Sequence, residues 1–82
     1  MEERRAALRH RVFKAGSIEF DGTAVDCLVR NLSDAGAGLD VHCPTVIPHF
    51  FTLTIPTGNL RQNCRVVWRK QKRIGLMFER AA

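Results

Sequence analysis

VFKAGSIEFDGTAVDCLVRNL, running from Val12 to Leu32, decides the fold. It holds two β segments around Asp21-Gly22, a dipeptide that favours a tight hairpin because both positions tolerate positive φ. On the return segment, Thr23 to Leu32, Val25, Cys27 and Val29 alternate with Asp26 and Arg30. That period of two is what a strand with one buried face requires. Neither here nor further along does any stretch sustain the i, i+3, i+4, i+7 stripe of an amphipathic helix, so the chain reads as all-β.

Downstream, Asn31-Leu32-Ser33-Asp34-Ala35-Gly36 breaks the second strand with turn-forming residues before a short third strand, Gly38 to Val41. Pro44 and Pro48 bracket a loop, since proline has no N–H to give to a ladder. Phe50 to Ile55 is a fourth strand, with Phe51, Leu53 and Ile55 on one face and Thr52 and Thr54 on the other; Pro56-Thr57-Gly58-Asn59 is the next turn. A fifth strand, Leu60 to Arg69, places Cys64, Val66 and Trp68 inward by strict alternation, and the charged tip Lys70 to Arg73 leads to a sixth, Ile74 to Phe78. The first strand spans Val12 to Phe20.

Short strands joined mainly by hairpins leave exposed edges unless the sheet closes on itself. The expectation is a small six-stranded antiparallel β-barrel over residues 12–82, with a flexible N-terminal arm over 1–11. Only Glu79 to Ala82 follow the last strand, too few for a substantial C-terminal helix.

Composition agrees with this reading. The chain has 82 residues, one domain's worth and near the lower end of what buries a core unaided. Its 45% hydrophobic and 26% charged residues are the balance of a folded soluble domain. No apolar run approaches the roughly 18–20 residues of a membrane span, and Glu2-Glu3-Arg4-Arg5 is no secretory leader. Membrane insertion is not expected. Cys27, Cys43 and Cys64 lack the paired spacing of a zinc or redox motif and read as small core or near-core hydrophobes in a reducing, cytoplasmic setting.

The formal charge is +5, and ten of the thirteen basic residues are arginine. That bias favours forked recognition of phosphates and guanine edges. Arg4, Arg5, Arg9 and Arg11 stand against only Glu2 and Glu3 in the first eleven residues, which makes the arm a local anion site on charge alone. Arg5-Ala6-Ala7-Leu8-Arg9 sets two arginines four apart, and Asn31 to Gly36 has the form Asn-x-Ser-x-x-Gly at a strand end.

In this order and separation the two motifs resemble the signatures of the PilZ domain family: Arg-x-x-x-Arg in an N-terminal arm and Asp/Asn-x-Ser-x-x-Gly after the second strand. The resemblance extends to Val66-Val67-Trp68 and Ile74-Gly75-Leu76-Met77-Phe78, which look like the closing strands of that family. It implies a bacterial six-stranded barrel that binds the second messenger cyclic di-GMP, often as a stacked pair of molecules. Arg5 and Arg9 would then clamp guanine edges and phosphodiester, with Arg4 stacking on a purine or touching phosphate. Asn31 would pair with a guanine edge, Ser33 would donate to phosphate, and Gly36 would let the backbone come close. The implied partners are the dinucleotide and a downstream protein, with no further cofactor.

Two other readings compete. One is a PilZ-like interaction module without ligand. The other is a basic barrel that binds single-stranded nucleic acid through Trp68 and its neighbours Arg65, Arg69 and Lys70, ranked low because Trp68 alternates with core residues. His42-Cys43 are adjacent, so in a strand they face opposite ways and do not share a metal. His10 and His49 stand apart from them, and no serine or cysteine has the local signature of an activated nucleophile. The reading is therefore a binding protein and not an enzyme.

Overall fold

A computed structural model describes residues 10–79 as six antiparallel strands: β1 (His10–Phe20), β2 (Thr23–Leu32), β3 (Gly36–Asp40), β4 (Phe50–Ile55), β5 (Leu60–Lys70) and β6 (Arg73–Phe78). They close into a barrel in the order β1-β2-β3-β6-β5-β4. Short 3₁₀ turns at Pro44–Val46 and Pro56–Gly58 are the only helical pieces among the described residues, and no helix is long and apolar enough to cross a membrane.

β2 and β4 occupy the expected ranges. β1 starts two residues earlier than Val12, β3 lies at Gly36–Asp40 in place of Gly38 to Val41, and β5 and β6 each extend one residue toward their shared turn. Asp21 and Gly22 both have positive φ, 49° and 73°, as the hairpin reading requires. Asn59 and Gln71 also enter the left-handed region, at 53° and 55°.

The seam between β1 and β4 is short. Ser17 pairs with Thr54, Ile18 with Leu53 and Glu19 with Thr52. Pro56 then removes the next donor and the chain turns away. On the outside of this seam, Glu19 accepts from Arg61 at 2.8 Å and from Thr54 at 3.1 Å, and those two bonds hold its carboxyl below the usual range.

Alternation sends Ile18, Val29, Leu39, Leu53, Ile55, Cys64, Val66, Ile74 and Leu76 inward, where all are buried, and Ile47 joins them from the loop after the first 3₁₀ turn. No polar or charged residue is buried among the described residues. Branched aliphatics suit this pleated interior, and their burial is the main stabilising contribution.

Two expectations fail. Cys43 is exposed, on the loop just before Pro44, while Cys27 and Cys64 are in the core as read. Trp68 is outside the barrel and 41% exposed. Val66 pairs with Leu76 and Trp68 with Gly75, so Val67 is an extra residue on β5. This bulge shifts the alternation by one and turns the indole outward.

The outward indole lies on Gly75, whose Cβ, if present, would strike Nε1 and Cε2 of Trp68. At Gly36 the obstacle is different: a Cβ would run into the carbonyl oxygen of Leu76 on β6. Backbone cannot swing aside, whereas an exposed side chain can. Gly36→Ala should therefore lower unfolding stability by about 2–3 kcal/mol, while Gly75→Ala should cost under about 1 kcal/mol and shift Trp68 emission, both read by urea unfolding. Equal costs would contradict this assignment of the two glycines.

Candidate functional site

One row of paired residues crosses the outer face of four strands. Asn31 pairs with Gly38, Gly38 with Gly75, and Gly75 with Trp68. The two central glycines are buried, because the flanking side chains lean over them: a Cβ at Gly38 would lie 2.8 Å from Nδ2 of Asn31. The row thus carries an amide at one end and an indole at the other, roughly 14 Å apart by strand spacing.

Asn31 reaches this face because β2 carries a bulge. Val29 pairs with Leu39 and Asn31 with Gly38, which leaves Arg30 as the extra residue. A second irregularity on β1, between Arg11 and Lys14, sets Val12 and Phe13 opposite Arg30. The Arg30 guanidinium sits 4.9 Å over the Phe13 ring, and its Nη1 donates to Asp40 at 3.2 Å. Phe13 is 71% exposed, so this cation–π contact covers an aromatic that the core leaves outside.

The turn from β2 to β3 is built on Ser33. Its Oγ accepts from the backbone N–H of Ala35 and of Gly36, both at 3.2 Å, and its hydroxyl donates to the carbonyl of Gly36 at 3.3 Å. The Ser33 N–H donates to the same carbonyl at 2.9 Å. A hydroxyl has one proton and two lone pairs, so the turn uses all three. Gly36 does not have positive φ; it is glycine because β6 passes against it, at the Gly36 to Met77 pairing.

His10 pairs with Leu32 and Arg11 with Asn31, so β1 enters the barrel beside this turn. Among the sequence-predicted site residues, the structure therefore brings Asn31, Ser33 and Gly36 together at one end of β2 and β3. Arg4, Arg5 and Arg9 lie outside the described residues. Arg30, Phe13 and the outward Trp68 escaped the sequence reading. For Arg30 a signal existed: Arg30-Asn31 sets two polar residues side by side in an alternating strand, the mark of a bulge.

Burial pushes the thiols of Cys27 and Cys64 up to about 12, which keeps them protonated at neutral pH. Among the described residues no three His, Cys, Asp or Glu side chains gather as a metal site.

A family model described as PilZ domain matches residues 3–82. Comparison with curated proteins returned no match.

Ser33→Ala removes the acceptor for two backbone donors and should cost about 1 kcal/mol in urea unfolding. An unchanged midpoint would mean that backbone bonds alone hold the turn. Of the three thiols, Cys43 alone should react quickly with a maleimide at mildly alkaline pH, and all three should react in denaturant. A second fast thiol in the native protein would contradict the burial of Cys27 and Cys64.

Proposed function

Because the chain belongs to the PilZ domain family, we propose that it is a cyclic di-GMP receptor whose N-terminal arm closes over the Asn31 to Gly36 turn and whose closure is read by a partner protein. The observation that carries this reading is the His10 to Leu32 pairing. Arg9 directly precedes His10 in the chain, so the Arg5-x-x-x-Arg9 motif joins the barrel at the end where Asn31 and Ser33 stand.

The chemistry divides between the two sides. Arg5 and Arg9 supply rigid donor forks for the O6/N7 edge of guanine and for phosphate oxygens, and Arg4 supplies a third cation for phosphate or a purine face. Asn31, lying over Gly38, offers a neutral amide to a guanine edge. Asparagine forgoes the charge-assisted bond that an aspartate would make there, which weakens the grip without removing it. Ser33 can turn its proton from the 3.3 Å bond to Gly36 toward a phosphate while its lone pairs keep the turn closed. Gly36 contributes through the turn's shape. Ordering an arm on ligand binding creates a surface that a partner can distinguish from the empty state.

A second reading, an interaction module without ligand, draws on the same serine: its hydroxyl is fully used within the turn. Calorimetry separates the two. Cyclic di-GMP should bind the wild type in the micromolar range or tighter, and Arg5→Ala or Arg9→Ala should abolish the heat. Ligand at ~100 times its dissociation constant should also raise stability by about 2.7 kcal/mol. No heat and no thermal shift would favour the interaction module.

A further inference from the structure

Toward the opposite end of the barrel lies a cleft that shares Trp68 with the Asn31 row but has a lysine rim that the receptor reading does not use. Gly36 pairs with Met77 and Asp40 with Arg73, so β3 runs from the Ser33 turn toward the β5–β6 tip. Four residues of strand put roughly 13 Å between those ends. At the far end an open cleft of about 760 Å³ is lined by Asp40, Val41, His42, Trp68 and the tip Lys70–Arg73.

Its charge is one-sided. Asp40, the only acid in the lining, is already engaged by Arg73 at 2.9 Å and by Arg30 at 3.2 Å. Lys70 and Lys72 have no ion-pair partner among the described residues. They flank Gln71 on an exposed two-residue turn, beside the partly exposed indole of Trp68 and the buried Val41. The cleft therefore offers two cations on its rim that are unpaired among the described residues, beside an aromatic wall.

We propose that this cleft docks a short acidic segment of a partner protein, with glutamate or aspartate side chains against Lys70 and Lys72 and an apolar side chain against Trp68. A peptide carries both features the cleft complements, carboxylates for the lysines and an apolar side chain for the indole, which a polyphosphate lacks. The volume exceeds what one carboxylate or phosphate fills and suits a segment of a few residues. Complementary charge at such a rim sets association and partner choice. The proposal draws on the receptor reading only for what the contact reports, since docking itself needs no nucleotide.

Trp68 is the sole tryptophan, so its fluorescence reports this cleft directly. The probe is a hexapeptide alternating glutamate and leucine, titrated into the full chain beside a glutamine–leucine peptide of the same length and a hexameric oligothymidylate. The acidic peptide should shift Trp68 emission to shorter wavelength and saturate, and the glutamine peptide should not. The double variant Lys70→Glu, Lys72→Glu should bind the acidic peptide at least about tenfold more weakly. It should still bind cyclic di-GMP as the wild type does. A response to the acidic peptide that does not saturate, equal affinity in the variant, or tighter binding of oligothymidylate overturns the proposal. Loss of nucleotide binding in the double variant overturns the separateness of the two ends. A wild type that takes the acidic peptide and ignores cyclic di-GMP supports docking and counts against the receptor reading alone.

Discussion

Three residues of β1 held against three of β4 complete the cylinder, and every other feature depends on that short contact. Without it both strands would present unpaired N–H and C=O groups, and the sheet would be an open ribbon. Ile18 and Leu53, which face each other across it, are fully buried, so closure and core formation are one event. The ion pair of Glu19 with Arg61 lies over the same contact on the solvent side. Exposed pairs of that kind add little, so the buried aliphatics do most of the fastening.

Closure also fixes what the outside can become. Gly36 has no room for a side chain because the β6 backbone at Leu76 passes against it, while at Gly38 and Gly75 the space is held by side chains from the neighbouring strands. Two of the three vacated places are taken by neighbours, Asn31 and Trp68. The missing side chains thus let an amide and an indole fold down over the strands and bury the backbone beneath them.

Much of this was legible in the residues. The Asp21-Gly22 turn, the alternation in Phe50 to Ile55 and the spacing of hydrophobic segments led to six strands and a closed sheet, because those signals are local and act through backbone conformation. Asn31, Ser33 and Gly36 were legible as a cluster, since one turn contains them. The role of Gly36 was not: the carbonyl that excludes a side chain there belongs to Leu76, forty residues away in sequence. Trp68 was misplaced for a related reason. Val66-Val67-Trp68 is apolar throughout, so strict alternation had no polar residue to reveal where the count slips. Cys43 was assigned by composition, and a loop position overrules composition.

That slip on β5 has a consequence of its own. Val67 works as an inserted letter in a two-letter script, and everything after it is read in the other phase. Replacing its side chain alters a solvent-facing methyl pair, but flattening the bulge at unchanged length would send Trp68 inward with Val66, into space already filled by Val66, Leu76 and their neighbours. The slip is therefore enforced from inside the cylinder, by an interior with no room for an indole, and the side chain at its crest has little part in it.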